Sequence, residues 1–486
     1  MIRIALLTAL WAPSLLAGPA QARDVNPSVA RTVPGPLPTT PFVLPSTSSV
    51  TLSNGVVLTF VENDEVPTFD LRAVLAVGTA ADPVGAEGLT EITFALLDDG
   101  TVHEGTALDA AGIARRAKLL GGAIGAGAGR DGASVSVSGL SRSMAPLVAL
   151  WASVLRRPTY AEDVWNLERT HRIAEYTADL DRPNRMADRA LAHLAWGEGY
   201  AAREATPQTL AGLTPDALKA WHARVVQPGA MRLFASGDVD PRALVAQLEA
   251  AFAGWSADAA PPVVPPPTPA APAGGRIYLI DKPGAAQSVL STVQVLARPT
   301  EPDWHALLLA NTALGGAFTA RINLNLREDK GYTYGARCGL GFGAGPAVWS
   351  CSANVATDVT APALTELRRE LVEALDARPL TEQEIRFFRD YRTRSFKGSF
   401  ERPGTILDEL ATEWLSGLPS DWLSRYVPAL TAVTAESANE ALRGRLALDA
   451  IAWVVVGDAA KIRPSLEATG LDIVLTGRDG RPVESP

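Results

Sequence analysis

The chain has 486 residues, of which 47% are hydrophobic and 20% charged, a composition that supports more than one hydrophobic core and excludes a disordered or fibrous chain. Its 53 acidic residues outnumber the 44 basic ones, and the formal charge of -9 disfavours nucleic-acid binding, which is typical of basic surfaces. Two cysteines and five histidines exclude a Cys-rich zinc site and leave few nitrogen ligands for any metal.

The N-terminal segment has the features of an export signal. Arg3 precedes an apolar run over residues 4–17, and residues 20–22 form the small-x-small pattern of a signal-peptidase site. We therefore predict a signal peptide over residues 1–22 and an exported protein, periplasmic or secreted, that is soluble after cleavage. A membrane anchor is the alternative, but this run is shorter than the ~20 residues that a spanning helix needs. No later stretch is apolar enough to predict a membrane span.

Two proline-rich segments organise the rest of the chain. The first, residues 23–49, predicts an extended arm, and the second, residues 257–275, predicts a semi-rigid linker. The linker separates two halves, 50–256 and 276–486, which share one order of elements: β-patterned segments, then helices, then an apolar strand that runs into Gly-Asp. We predict a duplicated α+β unit, because two unrelated domains would leave the shared order unexplained.

Residues 78–101 carry the first family resemblance. Gly-Leu at residues 88–89 and Gly-Thr at residues 100–101 flank a predicted helix. This arrangement resembles the start of the pitrilysin/insulinase family of zinc metallopeptidases, the inverzincins, in which such pairs flank an H-x-x-E-H helix. The resemblance implies that the first half is related to the zinc-binding half of those peptidases.

The zinc motif itself is degenerate. Glu91 and Ala95 stand at the positions of the two histidines, and Phe94 stands at the position of the catalytic glutamate. A catalytic zinc needs three protein ligands, and its bound water needs a carboxylate that takes up a proton. We therefore expect this chain to bind no metal or other cofactor and to have no zinc chemistry of its own.

Two glutamates further along are predicted remnants of the same site. Residues 161–180 predict a helix, and Glu168 and Glu175, seven residues apart, share one face of it. The resemblance implies that Glu175 stands at the position of the third zinc ligand and Glu168 at that of a second functional glutamate. Because glutamates are also common on exposed helix faces, a surface role is the alternative.

The second half carries the more complete signature. Residues 314–335 closely resemble the family segment in which an arginine and a tyrosine stand seven residues apart, here Arg327 and Tyr334. The resemblance implies that this pair reaches the substrate held at the zinc of another first half. A guanidinium and a phenol both donate hydrogen bonds, which suits a scissile carbonyl or its oxyanion. The alternative is a surface ion pair and a tyrosine packed in a sheet.

The two cysteines flank a glycine-rich stretch that predicts a hairpin tip. In an oxidising compartment Cys338 and Cys351 could therefore form a disulfide across two strands. Two free buried thiols are the alternative.

The resemblance as a whole implies a clam-like fold of two similar halves, each an α/β sandwich with a mainly antiparallel sheet, around a peptide chamber. It implies the non-catalytic subunit of an exported heterodimeric zinc peptidase. A homologous subunit with an intact motif would hold the zinc, and unfolded peptides would be the substrates. A peptide-binding or structural scaffold is the second hypothesis. A hydrolase that uses other residues is disfavoured, since no G-x-S-x-G elbow and no Cys/His pairing occurs.

Overall fold

The computed structural model describes residues 43–256, 262, 264, 267–270, 274–400 and 403–483. The predicted signal peptide, residues 23–42 of the arm and most of the predicted linker lie outside the described residues. A strand begins at Thr47, two residues before the predicted end of the arm. The boundaries proposed for these segments stay predictions.

The first half contains a six-stranded sheet, a separate hairpin and eight helices among its described residues. Its strands are β1 Thr47–Thr51, β2 Val57–Glu62, β3 Thr68–Leu75, β4 Gly100–His103, β5 Thr106–Asp109, β6 Gly122–Ala128, β7 Ala133–Leu140 and β8 Met231–Gly237. Its helices are α1 Leu89–Ala95, α2 Ala110–Leu119, α3 Met144–Arg156, α4 Glu162–Asp179, α5 Pro183–Trp196, α6 Pro207–Ala211, α7 Pro215–Val225 and α8 Pro241–Ala251. The sheet order is β1-β2-β8-β3-β7-β6, and β4 pairs with β5 in the hairpin.

The second half contains another six-stranded sheet. Its strands are β9 Arg276–Asp281, β10 Gln287–Val295, β11 Thr333–Gly341, β12 Val348–Ala356, β13 Ala452–Gly457 and β14 Asp472–Thr476. Its helices are α9 Trp304–Asn311, α10 Arg321–Asn323, α11 Thr360–Leu375, α12 Glu382–Ser399, α13 Pro403–Leu415, α14 Trp422–Thr431, α15 Ala435–Arg445 and α16 Ala459–Glu467. Two π-helical turns, Thr312–Gly316 and Leu324–Asp329, follow α9 and α10. The sheet order is β11-β12-β10-β13-β9-β14.

The two sheets share one topology except at one edge. The order β9-β13-β10-β12-β11 of the second sheet matches β2-β8-β3-β7-β6 of the first, and the late strands β8 and β13 take equivalent places. The remaining edge strand differs, because β1 begins the first half and is antiparallel to β2, whereas β14 ends the second half and is parallel to β9. The strand pairs β2 with β8, β9 with β13 and β9 with β14 are parallel, and the remaining neighbours are antiparallel. The predicted α+β class, with two similar halves and mainly antiparallel sheets, is confirmed.

The burial patterns of the strands show which sheet faces are covered. Most of the buried apolar side chains of the first half form one cluster, the first core. In β7, Val135 and Val137 face this core and alternate with half-buried serines, the period of two expected for a strand with unlike faces. In contrast, every residue of β13 is buried. A strand that is buried on both faces needs a layer of packing partners on each side of its sheet.

The second layer on each sheet comes from the opposite half. Helix α5 of the first half lies on β10 and β13 of the second sheet, where Met186 packs in one cluster with Val289 and Val454. Reciprocally, α13 of the second half lies on β3 and β8, where Leu407 packs with Phe234. This exchange of helices fixes the two halves against each other through apolar contacts rather than through the proline-rich segment alone.

None of the helices among the described residues is long and apolar enough to cross a bilayer.

Candidate functional site

The degenerate motif lies on α1, a short helix with a defined start. Gly88, immediately before the helix, has φ +98°, and a Cβ there would lie 2.9 Å from the Cβ of Ala205. The carboxylate of Asp82 accepts hydrogen bonds from the backbone N–H groups of Gly88 at 2.9 Å and Thr90 at 2.8 Å. A left-handed glycine and an acidic cap thus keep the helix start of the family motif although its metal ligands have changed.

The three substituted positions of the motif have different surroundings. Phe94 is fully buried in the first core, so a proton acceptor at this position would have to be buried too. Ala95 is the last residue of α1 and has no donor atom in its side chain. Glu91 is the one position of the three with a carboxylate, and that carboxylate is engaged in an ion pair.

Arg172 of α4 is the partner of Glu91. Its Nη1 donates to Glu91 Oε1 at 2.5 Å, and its Nε donates to Glu168 Oε1 at 2.6 Å. Burial lowers the pKa of Arg172, but its hydrogen bond to Glu168 and its attraction to Glu91 outweigh this effect and raise the pKa above the usual range. The guanidinium therefore joins two predicted remnant positions, Glu91 and Glu168.

Glu175 lies in a cavity with Glu91 but not in this ion-pair cluster. The cavity, about 270 Å³ in volume, is lined by both carboxylates and by Arg172, and none of its described lining residues comes from the second half. Glu175 itself is exposed on α4. No group of three histidine, cysteine or acidic side chains among the described residues is placed to hold a metal ion. The donor set of this cavity does not fit a catalytic zinc, which requires three ligands and an open position.

The second-half signature has a different character, since Tyr334 is exposed to solvent whereas Arg327 is half-buried. Arg327 lies in the π-helical turn Leu324–Asp329, with its guanidinium carbon 4.5 Å from the centre of the Phe318 ring and its Nε 3.3 Å from Glu328 Oε1. Phe318 is 64% exposed and Tyr334, in the first residues of β11, is 91% exposed. A guanidinium held over an aromatic face is oriented before any ligand binds.

Tyr334 borders a cavity that is separate from the one around Glu91. This cavity, about 450 Å³, is lined by the start of α5 and by polar side chains of the second sheet, including Gln287, Ser352 and Asn354. Tyr334 is thus not packed in its sheet. The structure places Arg327 and Tyr334 in one half and the Glu91, Glu168 and Glu175 positions in the other.

Two buried asparagines hold the turn that carries Arg327. Asn323 donates from Nδ2 to the Phe318 carbonyl at 2.6 Å, and its Oδ1 accepts from the Ala336 N–H at 2.8 Å. Asn325 donates to Glu370 Oε1 at 3.0 Å. Asn323 therefore links the backbone of the aromatic residue under Arg327 to β11 just after Tyr334. Sequence reasoning missed both asparagines, because an alternation of polar and apolar residues predicts exposed polar side chains, whereas here both asparagines are buried.

A disulfide stabilises the strands next to this turn. Cys338 of β11 and Cys351 of β12 are bonded and are direct partners in the strand register. A side chain at Gly315, in the π-helical turn that follows α9, would overlap the sulfur of Cys338. The cross-link thus lies beneath a turn that precedes Arg327 in the chain.

We expect the double change Cys338→Ser and Cys351→Ser to lower the free energy of unfolding by about 2–3 kcal/mol, because the cross-link restricts the unfolded chain. Urea unfolding of the oxidised protein and of the variant measures this difference. The wild type in reductant is the matched control and should unfold like the variant. An unchanged midpoint in both would contradict a stabilising role of the bond.

Comparison with known proteins gives similarities to one family model and to curated relatives. A family model described as the peptidase M16 inactive domain matches residues 212–389, a range that contains Arg327 and Tyr334. An uncharacterized zinc protease of Streptomyces coelicolor is 27% identical over 281 residues, which cover 54% of this chain and 60% of that protein. The chain therefore spans less than two thirds of that relative's length.

Two solved structures have the same fold. The peptidase M16 inactive domain from Pseudomonas fluorescens is similar with a TM-score of 0.76 and 25% identity, over 85% of this chain and 98% of that one. The periplasmic protease PqqL from Escherichia coli is similar with a TM-score of 0.72 and 17% identity, over 86% of this chain and 46% of that one. The second similarity is one of fold alone.

Proposed function

Because the chain belongs to the pitrilysin/insulinase family of peptidases, and to its non-catalytic type, we propose that it is one subunit of a heterodimeric zinc peptidase. In this complex a homologous subunit with an intact H-x-x-E-H motif binds the zinc. This chain supplies Arg327 and Tyr334 to that active site and forms half of the chamber that admits unfolded peptides.

The exposure of Tyr334, and of the Phe318 ring on which Arg327 stacks, is the observation that carries the proposal. Tyr334 leaves 91% of its surface in solvent, and Arg327 stacks on Phe318, which is itself 64% exposed. Large aromatic side chains left exposed are typical of a surface that meets a partner or a ligand. Both side chains donate hydrogen bonds, so they can stabilise the carbonyl oxygen of a peptide as negative charge develops on it.

The degenerate motif of the first half indicates which steps the partner subunit would carry out and which this chain would carry out. In the partner, the zinc would polarise the scissile carbonyl and lower the pKa of the attacking water. Here Phe94, Ala95 and the ion-paired Glu91 leave no comparable donor set, so we propose that this chain binds no zinc. Its own contribution is then to orient the peptide and to donate hydrogen bonds.

We also propose that the protein acts after export, in a periplasm or outside the cell. The supporting observations are the predicted signal peptide and the disulfide between Cys338 and Cys351, which an oxidising compartment would preserve. A peptidase with an enclosed chamber would meet unfolded chains there.

The second candidate function is a peptide-binding or structural scaffold without peptidase activity. The polar cavity beside Tyr334 favours it, because Gln287, Ser352 and Asn354 can bond a peptide backbone without any metal. A scaffold has no requirement for Arg327 over Phe318, which favours the subunit proposal.

A reconstitution assay tests the subunit proposal. A quenched fluorescent peptide is incubated with this chain, with a zinc-motif homologue from the same cell, and with both, each with and without chelator. We expect hydrolysis to appear or to rise sharply only in the mixture and to stop with chelator. Chelator-sensitive hydrolysis by this chain alone would contradict the proposal, and peptide binding without hydrolysis in every mixture would favour the scaffold.

A further inference from the structure

Arg172 connects two helices that carry the remnant zinc positions. Glu91 is on α1 and Glu168 is on α4, and the guanidinium donates to both, at 2.5 Å and 2.6 Å. The side chains of Arg172, Glu91 and Glu168 are 25%, 39% and 21% exposed, so the cluster is partly shielded from water. Partly shielded ion pairs with hydrogen-bonding geometry are stronger than exposed ones.

Helix α4 has little apolar anchorage of its own. Among its 18 residues only Trp165 and Asp179 are buried. Val164 and Ile173 are only partly buried against the core of the first half, so polar contacts add to a small apolar face in holding this helix. The bridge from Arg172 to Glu91 is such a contact, since it joins α4 to a helix that is embedded in the first core through Ile92 and Phe94.

The carboxylates around Arg172 are crowded. Burial raises the pKa of Asp99, and repulsion by Glu168 raises it further. Without the guanidinium, Glu91 and Glu168 would lose their shared counter-charge beside a further carboxyl group that already repels Glu168. A positive charge at this position is therefore required by the acidic side chains that remain.

The second half provides an internal comparison. Helix α12, also of 18 residues, has Arg392 at the same distance from its start as Arg172 in α4. Arg392 donates to the hydroxyl groups of Thr312, at 3.2 Å, and Tyr426, at 2.8 Å. A guanidinium thus ties the long helix to its neighbours in both halves, but only in the first half are its partners two carboxylates.

We infer that the guanidinium of Arg172 is the resident cation of the degenerate site and takes over the structural work of a metal ion there. It neutralises Glu91 and Glu168 and ties α1 to α4, and its charge keeps divalent cations out. The packing of α1 against α4 therefore needs no bound metal ion. This inference does not depend on a partner subunit.

The test is the response of thermal stability to divalent cations in the purified full-length chain. We expect Arg172→Ala to lower Tm by several degrees and added Zn²⁺ or Mn²⁺ to restore at least half of that loss, because a cation that binds only the folded state stabilises it. The wild type and Arg172→Lys should show no cation-dependent shift. Arg169→Ala is the matched control, since Arg169 lies three residues earlier in α4 and bonds Asn166 rather than a carboxylate.

Two results would overturn the inference: a wild-type Tm that rises with the same cations, or an Arg172→Ala variant that unfolds at a lower temperature without any response to them. If Arg172→Ala does not fold, a triple variant, Glu91→Gln, Glu168→Gln and Arg172→Gln, tests whether the role of Arg172 is electrostatic, because it removes both carboxylates together with the guanidinium. A folded triple variant supports the electrostatic role of Arg172, and an unfolded one contradicts it.

Discussion

We expect Arg327→Ala to lower kcat/KM of the reconstituted peptidase by about 10²–10³-fold, the loss that follows when one donor to a developing oxyanion is removed. The guanidinium is held over Phe318 at 4.5 Å before substrate binds, so little ordering is needed when the transition state forms. We expect association with the proposed zinc-bearing subunit to be unchanged, because the ring of Phe318 and the surrounding turn remain. Peptide hydrolysis and sedimentation of the same samples measure the two effects separately.

Two further variants make this result specific. Tyr334→Phe keeps the ring and removes only the hydroxyl group, so we expect a smaller loss of kcat/KM, about 10-fold. Arg368→Ala removes the same charge from an exposed position on α11 and should leave kcat/KM unchanged. Full activity of both Arg327→Ala and Tyr334→Phe in a confirmed complex would refute active-site donation by this chain.

Asn323→Ala has the second large effect, because one side chain positions both members of the pair. It removes the hydrogen bonds to the Phe318 carbonyl and the Ala336 N–H, and buried groups that lose a partner cost about 1–3 kcal/mol each. We expect the free energy of unfolding to fall by about 2 kcal/mol or more. We also expect kcat to fall by about 10²-fold, since displacements near 1 Å at a reacting centre have effects of this size.

Asn323→Asp is the matched variant. An ionised aspartate keeps an oxygen that accepts from the Ala336 N–H but has no group that donates to the Phe318 carbonyl. It should therefore restore the hydrogen bond to β11 and not the one to Phe318. Activity nearer to that of Asn323→Ala than to that of the wild type would assign the effect to the position of Phe318 and Arg327. Loss of stability with unchanged kcat would restrict Asn323 to a structural role.

The duplicated fold was predictable from the sequence, whereas the exchange of helices was not. The strand pattern and the two Gly-Asp strands are local signals, and they define equivalent places in both sheets. The apolar faces of α5 and α13 predict burial but do not specify which sheet each helix covers. Which sheet a helix covers depends on the path of the chain between the halves, and hydrophobic periodicity carries no information about that path.

The candidate site was predictable only in part for a similar reason. Glu168 and Glu175 share one helix face at the sequence level, yet Glu168 is paired with Arg172 and Glu175 is exposed. The spacing of Glu168 and Arg172 by four residues was a local signal for an ion pair. The contact of Arg172 with Glu91 joins residues 81 positions apart and exists only because α4 lies next to α1.

The location of Tyr334 in the assembled enzyme tests the central claim most directly. A photo-reactive benzoylphenylalanine in place of Tyr334 keeps an aromatic side chain at a position that is 91% exposed. After irradiation of the complex, mass spectrometry identifies the peptides that are cross-linked to this position. We predict cross-links to the H-x-x-E-H helix of the zinc-bearing subunit or to a bound substrate peptide. Cross-links confined to other surfaces of the partner, in a complex that hydrolyses peptides, would contradict the proposed role of this chain.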